Sequence, residues 1–273
     1  MPEMPEVETL VRKLRRRLVG KRIARVNLSG FSLRKPIAGG FSTKLCGRKI
    51  QGITRRGKYL IAELEPKCYW LIHLGMSGRI LIHSKPDTCA KHTHVRVRFS
   101  DSSELEYRDP RRFGLMAVYE VSDLNQIPEI RLLGLDPLSA EFNGEWLGMQ
   151  LRGSRREVKS FLLDQRRVSG LGNIYVCESL FRARIHPQRR CFTVTRREAV
   201  RLADAIRDVL AESIQRRGTS FSDFVDVDGK PGENQKHLMV FQREGELCRV
   251  CGIPIRRMVQ GNRSSFYCPN CQD

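Results

Sequence analysis

The stretch CRVCGIPIRRMVQGNRSSFYCPNC, residues 248–271, decides the architecture at the C-terminal end of this chain. Its four cysteines form two Cys-x2-Cys pairs separated by sixteen residues, which is the spacing of a tetrahedral zinc site that joins two turns. Two disulfides, or a redox-active Cys-x2-Cys motif, are the alternatives. Because four thiolates leave no open coordination position for water, we expect one structural Zn2+. Its ligands would be Cys248, Cys251, Cys268 and Cys271.

The whole chain carries a large excess of positive charge. Its 273 residues include 49 Lys and Arg against 30 Asp and Glu, which leaves a net charge of +19. Because these charges are interleaved with segments of folded character, they favour a polyanionic partner such as nucleic acid over a generally solvated surface. Arg256, Arg257 and Arg263 lie between the cysteine pairs and could present basic side chains to a phosphate backbone.

The sequence argues against export and against a membrane partner. No apolar run approaches the ~20 residues that cross a bilayer. The first residues, MPEMPE, show no basic head followed by an apolar run. The nine cysteines are an odd number, and those outside the ribbon, Cys89 among them, are scattered as expected of ordinary thiols in a reducing compartment. We therefore expect a cytoplasmic protein.

The periodicities predict an α+β chain that begins with a β-sandwich flanked by helices. Apolar residues from Val7 to Leu18 recur at helical spacing, with Pro5 suited to the first turn and Gly20 to the stop. Short alternating segments then run to about Glu120 and are typical of strands in a sandwich or barrel. These segments are Arg25–Leu28, Lys58–Ile61, Tyr69–His73, Arg79–Ile82, Val95–Phe99 and Leu105–Tyr107.

Helical spacing dominates after a connector between Asp123 and Glu145. Thr195 and Glu198 predict a capping box at the start of a helix that ends near Gly218. A turn-rich segment and the cysteine module follow. The predicted domains are residues 1–122, 123–218, 219–240 and 241–273.

The N-terminus holds a candidate nucleophile. Removal of the initiator Met would expose Pro2 as a secondary amine, whose pKa near ~8 leaves an appreciable neutral fraction at physiological pH. Condensation of this amine with an aldehyde-like carbon gives an iminium ion that promotes elimination, and Glu3 and Glu6 could move protons beside it. The alternative is that Pro5 and the two acids only begin a helix, with negative charge at its positive end.

Three further stretches carry weaker signals. GLGN, residues 170–173, precedes an apparent helix, where free backbone N–H groups could hold a phosphate, although a glycine-rich turn needs no ligand. HLGM at 73–76 and RDPRRFG at 108–114 each place an apolar side chain beside turn residues. Such a side chain usually belongs to a core, but proteins that kink duplex DNA use it as a wedge.

Taken together, these stretches resemble the formamidopyrimidine-DNA glycosylases, a family of base-excision repair enzymes. The resemblance extends from Met1 to Gln272. It is carried by PEMPEVET (2–9), RGKYL (56–60), HLGMSG (73–78), KHTHV (91–95), DPRRFG (109–114), GNIY (172–175), ESLF (178–181) and the four-cysteine ribbon. It implies an N-terminal β-sandwich, a helix-two-turn-helix domain and a C-terminal zinc ribbon, with DNA in the cleft between them.

The resemblance implies five catalytic residues. Pro2 corresponds to the nucleophile that attacks C1′ of the damaged nucleoside, Glu3 to the proton donor and acceptor at the sugar, and Glu6 to its support. Lys58 corresponds to the lysine of proton transfer in β-elimination. Arg263 corresponds to the arginine that serves δ-elimination and grips phosphate near the lesion.

The resemblance also implies the DNA contacts. Met76, Arg111 and Phe113 correspond to the side chains that fill the gap left by an extruded base, with Arg111 paired to the orphaned cytosine. The implied backbone contacts are His73, His92, Lys159 and Asn173. The segment from Thr219 to Lys236 corresponds to the loop that closes over oxidised guanine.

The expected function is excision of oxidised purines, chiefly 8-oxoguanine opposite cytosine and formamidopyrimidines, followed by β,δ-elimination at the abasic site. The expected partner is double-stranded DNA with oxidised bases or abasic sites, bound by a monomer that acts at a bacterial nucleoid. Three alternatives stay open: an endonuclease VIII-like enzyme for oxidised pyrimidines, a non-catalytic protein that kinks damaged DNA, and a zinc-ribbon translation or transcription factor.

Three places depart from the family pattern, one of which is Arg257, where the family has a lysine and the charge is kept. Phe241-Gln242 stands where the family usually has Tyr-Gly, so a hydroxyl that touches the DNA backbone is missing and we expect a lower affinity. The loop sequence FSDF at 221–224 varies too much within the family to carry a base preference.

Overall fold

The computed structural model describes residues 2–84, 90–221 and 224–273. The chain divides into two compact units, one formed by Met1–Leu132 with Arg216–Gln235 and the other by Leu133–Gln215 with Lys236–Asp273. Cys89, predicted to be an ordinary thiol, lies outside the described ranges. Within them, no helix has both the length and the apolar character that crossing a membrane requires.

The first unit opens with helix α1, Met4–Leu18, as its apolar spacing predicts. Pro5 lies in the first turn, and Glu3 and Glu6 cap the helix reciprocally, each side chain accepting from the other's backbone N–H. The buried stripe of α1, which includes Leu10 and Leu14, belongs to the same apolar core as the strands that follow.

Two antiparallel four-stranded sheets make up most of the first unit and confirm the predicted β-sandwich. The strands are β1 Ile23–Leu28, β2 Ile50–Arg56, β3 Tyr59–Leu64, β4 Cys68–His73, β5 Arg79–His83, β6 Thr93–Phe99, β7 Glu104–Arg108 and β8 Leu115–Tyr119. The strand orders are β1-β6-β7-β5 and β2-β3-β4-β8. The alternation pattern did not reveal β2 or β8, and β2 in particular carries glycine and two arginines in its sequence IQGITRR.

Short helices and a returning segment complete the first unit. The helices are α2 Phe41–Leu45 and α3 Pro128–Arg131, with a 3-10 turn at Leu124–Gln126. In the returning segment, Arg216–Gln235, Phe224 and Val227 join the sandwich core, and the backbone N–H of Ile82 donates to the carbonyl of Val227 at 3.0 Å.

The second unit is helical, as predicted. Its helices are α4 Gly144–Arg152, α5 Val158–Leu162, α6 Asn173–Arg182 and α7 Arg196–Gln215, with a 3-10 turn at Cys191–Thr193. A further 3-10 turn, Asn234–His237, spans the point where the chain passes from the first unit to the second. The predicted capping box begins α7: the Thr195 N–H donates to Glu198 Oε2 at 2.8 Å, and the Glu198 N–H donates to Thr195 Oγ1 at 3.3 Å. Gly144 brings α4 close to α7, because a Cβ there would lie 2.4 Å from the Cα of Val200.

The second unit ends in a hairpin of β9, Arg256–Gln260, and β10, Arg263–Tyr267. Its two turn residues, Gly261 and Asn262, have φ values of 54° and 59°. Two successive left-handed residues are the signature of the tight hairpin turn that matches strand twist. The turn therefore places Arg263 directly at the start of β10.

Candidate active site and nucleic-acid interface

Pro2, Glu3 and Glu6 are buried together at the start of α1. The Glu6 carboxylate accepts the backbone N–H of Glu3 at 2.8 Å and that of Thr219 at 2.7 Å. A Cβ at Gly218, whose φ is +82°, would lie 2.9 Å from Glu6 Oε1. Glu6 thus ties the start of α1 to a segment 213 residues further along the chain. The interpretation of the two acids as helix caps is correct, and the same contacts hold them beside Pro2.

Lys58 is buried in the turn between β2 and β3, and His73 lies at the end of β4, paired with Tyr59. Burial, together with the nearby charges of Lys58 and Arg34, lowers the pKa of His73 to about 4. His73 is therefore neutral at physiological pH, and its Nδ1 accepts the backbone N–H of Gly75 at 3.0 Å. A neutral imidazole that accepts at Nδ1 carries its proton on Nε2 and can donate it to an anion such as phosphate.

Met76 and Phe113 are apolar side chains exposed at turns of the first unit, by 36% and 45%. The two turns touch, because a Cβ on Gly75 would lie 2.4 Å from the carbonyl of Phe113. The Arg111 guanidinium lies 4.9 Å from the centre of the Phe113 ring, within cation–π range. The structure therefore brings together the three residues predicted to fill the space of an extruded base.

Asp109 organises the turn that carries Arg111 and Phe113. Its side chain is fully buried and accepts from the Ser77 hydroxyl at 2.6 Å, the Gly114 N–H at 2.8 Å and the Tyr107 hydroxyl at 3.1 Å. The backbone N–H of Asp109 donates to the carbonyl of His92, an exposed residue, at 3.0 Å. The sequence analysis assigned no role to Asp109. The only feature of the sequence that could have indicated a structural role was its position at the start of the DPRRFG motif, next to the two arginines.

In the second unit, Lys159 and Asn173 meet at one carbonyl group. Lys159 is buried and its Nζ donates to the Ser264 carbonyl at 2.9 Å and the Ser265 hydroxyl at 2.6 Å. Asn173, the first residue of α6, donates through Nδ2 to the same carbonyl at 2.9 Å. Its Oδ1 is buried without a hydrogen-bond partner among the described residues. Ser264 follows Arg263 at the start of β10. The structure therefore places three predicted site residues, Lys159, Asn173 and Arg263, together at the tip of the hairpin.

Glu178 holds the segment that leads into the ribbon. Its buried carboxylate accepts the backbone N–H groups of Met239 at 2.8 Å, Val240 at 3.0 Å and Phe241 at 2.8 Å. Burial raises the pKa of Glu178, and these three donors oppose the rise. The Phe241 ring packs against the Phe266 ring on β10, with 5.1 Å between the ring centroids. Phe241, which replaces the usual tyrosine, therefore packs against the ribbon.

The four cysteines of the ribbon form a site that fits zinc. Their Sγ atoms all lie within 4.8 Å of one another, and the Cys251–Cys268 and Cys248–Cys271 pairs are 3.4 and 4.0 Å apart. Zn–S bonds of about 2.3 Å in a tetrahedron place sulfur atoms about 3.8 Å apart. A hydrogen bond from the Ile253 N–H lowers the pKa of Cys251, whereas burial and the neighbouring thiols raise the pKa of Cys268 and Cys271. A bound cation would offset that rise by stabilising all four thiolates. These residues hold one structural Zn2+.

The first unit has a buried Pro2 and α1 ahead of its β-sandwich, and the second unit combines helices with a four-thiolate ribbon. This combination matches the architecture of the helix-two-turn-helix DNA glycosylases. The model of the formamidopyrimidine-DNA glycosylase N-terminal domain matches residues 1–116, and that of the formamidopyrimidine-DNA glycosylase H2TH domain matches residues 133–225. The zinc finger found in FPG and IleRS matches residues 245–273. The chain belongs to the formamidopyrimidine-DNA glycosylase family.

Similar proteins agree with this assignment over the full chain. The formamidopyrimidine-DNA glycosylases of Burkholderia thailandensis and Dinoroseobacter shibae are 43% and 41% identical to it, with all of both chains covered in each comparison. The Lactococcus lactis Fpg in complex with DNA that contains an abasic site is 32% identical, with a TM-score of 0.92 and full coverage of both chains. The MutM (Fpg) protein of Thermus thermophilus is 37% identical, with a TM-score of 0.86 over 99% of this chain and 98% of its own.

Proposed function

We propose that this protein excises oxidised purines from double-stranded DNA and then cleaves the abasic strand, with Pro2 as the nucleophile. The observation that carries the proposal is the burial of Pro2, Glu3 and Glu6 together, in the unit that also exposes Met76 and Phe113. Solved complexes of Fpg and MutM relatives contain DNA with an abasic site, Fapy-dG or carbocyclic 8-oxo-G. Those ligands support an oxidised purine as substrate and an abasic strand as intermediate.

The proposed reaction begins on the imino nitrogen of Pro2 after removal of Met1, a residue outside the described ranges. The nitrogen bonds to C1′ while the bond from C1′ to the base breaks, and the base leaves after gaining a proton. The C1′–O4′ bond then breaks while O4′ gains a proton, which leaves an iminium ion between Pro2 and C1′. Loss of a C2′ proton expels the 3′ phosphate, and loss of the C4′ proton from the conjugated product expels the 5′ phosphate. Glu3 carries protons at the sugar, Lys58 serves the first elimination and Arg263 the second.

The remaining candidates bind DNA in this proposal. Met76, Arg111 and Phe113 fill the space of the extruded base, which offsets part of the stacking and pairing energy lost. The phosphate contacts are His73, His92 and Asn173. Lys159 is buried and donates to the Ser264 carbonyl and the Ser265 hydroxyl, so in this proposal it supports phosphate binding by positioning the hairpin that carries Arg263. Residues 219–240 contact the lesion, although Ser222 and Asp223 within them lie outside the described ranges. The protein acts as a monomer in the cytoplasm.

Excision from duplexes that have the same sequence and differ only in the lesion tests the proposal. We expect cleavage at 8-oxoguanine opposite cytosine and at formamidopyrimidine, with phosphate on both ends of the gap. A clear preference for thymine glycol would indicate an endonuclease VIII-like enzyme. Tight binding without cleavage would indicate a protein that only bends damaged DNA.

A matched pair of variants separates catalysis from the charge of α1. Glu3→Gln should lower the excision rate by about 100-fold or more, because it removes a proton carrier. Glu8→Gln removes the same charge from the same helix, at a side chain that pairs with Arg12 at 2.9 Å and Arg55 at 3.2 Å. We expect it to retain activity within a few-fold, and equal losses in both variants would contradict the role of Glu3.

A further inference from the structure

An arginine-lined groove lies on the second unit, apart from the residues assigned above. The groove has a volume of about 690 Å³ and is formed by the end of α4, the loop after it, and single residues from three later segments. Its lining includes Met149, Arg155, Arg156, Phe161, Arg167 and Arg190. None of these residues belongs to the predicted lesion or phosphate contacts.

The positive charge of the groove is only partly balanced. The nearby acid Asp164 is already engaged, with Arg156 at 2.9 Å and Arg166 at 3.4 Å. Within the part of the chain that the structure describes, Arg155, Arg167 and Arg190 form no ion pair. Three exposed guanidinium groups on one concave surface create a positive potential that attracts an anion.

The backbone holds the walls of the groove in place. The Cys191 N–H donates to the carbonyl of Arg156 at 2.9 Å, and the Val158 N–H donates to that of Arg189 at 2.8 Å. Arg190 also donates through its guanidinium to the carbonyl of Arg155 at 3.2 Å. Because these bonds join the loop before α5 to the loop before α7, little ordering is needed when a ligand enters.

We infer that this groove binds phosphate groups of a nucleic-acid strand outside the lesion site. Guanidinium groups match the geometry of phosphate oxygens, and a surface with several of them suits successive phosphates of a polymer. The net charge of +19 favours the same class of partner. The inference rests on the proposed function, because a protein that acts on DNA meets such strands, and it adds a contact region to that function.

The salt dependence of binding to an undamaged duplex tests the inference. Each phosphate contact contributes about 0.9 to the slope of log K against log salt concentration. Substituting Arg155, Arg167 and Arg190 together by Ala should lower the slope by about 2 to 3 and weaken binding at moderate salt by at least about tenfold. The corresponding triple Lys variant keeps the three charges and should retain most of the slope. If the Ala variant folds poorly, the Lys variant still tests whether charge at these three positions is sufficient for binding.

A control with the same change in charge tests specificity. Arg16, Arg196 and Arg197 are exposed and lie outside the groove. Their triple Ala variant should lower the slope by less than half as much as the groove variant. Equal effects of the two Ala variants, or no effect of the groove variant, would overturn the inference.

Thermal unfolding with small anions distinguishes a nucleic-acid strand from a free anion as the ligand of the groove. Inorganic phosphate and a mononucleotide should raise the melting temperature only at high concentration. Strong stabilisation by either, lost in the groove variant while the DNA slope is unchanged, would assign the groove to a free anion and overturn the inference.

Excision of 8-oxoguanine, measured on the same preparations, separates failure of the groove inference from failure of the proposed function. If the wild type does not excise the lesion, the proposed function fails. If the wild type excises it and the groove variant leaves the salt slope unchanged, the groove inference alone fails.

Discussion

Replacing Lys13 by Met should loosen the returning segment of the first unit from α1. Lys13 Nζ lies 2.6 Å from Asp226 Oδ2 and 2.7 Å from Asp228 Oδ2. The Asp226 side chain is 1% exposed, and its Oδ1 accepts the backbone N–H groups of Asp228 at 2.9 Å and Lys230 at 3.0 Å. Asp226 therefore organises its own turn, and Lys13 supplies the nearest compensating charge.

The size of the effect follows from the burial of the two partners. Removing one partner of a buried ion pair costs about 3–5 kcal/mol. Here the Lys13 side chain is 27% exposed and the two N–H donors to Asp226 persist, so the cost is smaller. A loss of about 2 kcal/mol corresponds to about a 30-fold increase in the population of the open segment.

Hydrogen exchange at the amides of Asp228 and Lys230 measures this opening directly, because local segments can open without global unfolding. Arg12→Met is the matched control: Arg12 lies on the same helix and forms an exposed ion pair with Glu8, worth at most about 1 kcal/mol. The double variant Lys13→Met, Asp226→Asn should exchange more slowly than Lys13→Met, since it leaves no buried charge. Exchange within threefold of wild type in Lys13→Met, or an equal change in Arg12→Met, would refute this reasoning.

Three further predictions concern the ribbon, the segment that leads into it and the sandwich. Cys268→Ser should abolish stoichiometric zinc binding and unfold the ribbon, because structural zinc energy is folding energy; unchanged metal content would contradict the site. Glu178→Gln should destabilise the second unit by about 2 kcal/mol in denaturant unfolding, since an amide cannot accept all three N–H groups; an unchanged midpoint would contradict this. Because the unfolded state binds the His73 proton near pH 6.5 and the folded state only near pH 4, the contribution of His73 to stability should fall by about 3 kcal/mol on acidification across that window and be independent of pH above it. The unfolding free energy of wild type minus that of His73→Gln should therefore decrease by this amount as the pH falls, and a constant difference would contradict the assignment.

Local patterns predicted the elements that depend on near neighbours. The Thr195–Glu198 capping box and the cysteine spacing each involve groups close in sequence, so residue types and intervals suffice to recognise them. The pattern in β2 was weaker, because Gly52 and two arginines interrupt the alternation that marks a half-buried strand. The resemblance supplied the roles of the site residues, which composition and spacing alone left open.

Contacts between distant segments were beyond sequence reasoning. Glu6 bonds to Thr219, and Lys13 to Asp226, across 213 residues each. Nothing near either residue in the sequence indicates its partner. The segment that leads into the ribbon shows a related case: Gln242 adopts a φ of 59°, in the left-handed region that favours glycine. The glycine usual at this family position is thus explained by backbone geometry.

Borohydride trapping tests the role of Pro2 most directly. The protein with Met1 removed, verified by intact mass, is mixed with 8-oxoguanine duplex and reduced, alongside the same protein carrying an uncleavable N-terminal extension. An acylated nitrogen cannot form an iminium ion, so only the first protein should yield a covalent adduct, and peptide mapping should place it on Pro2. An adduct of equal yield with the extended protein, or one mapped to a lysine, would contradict the account.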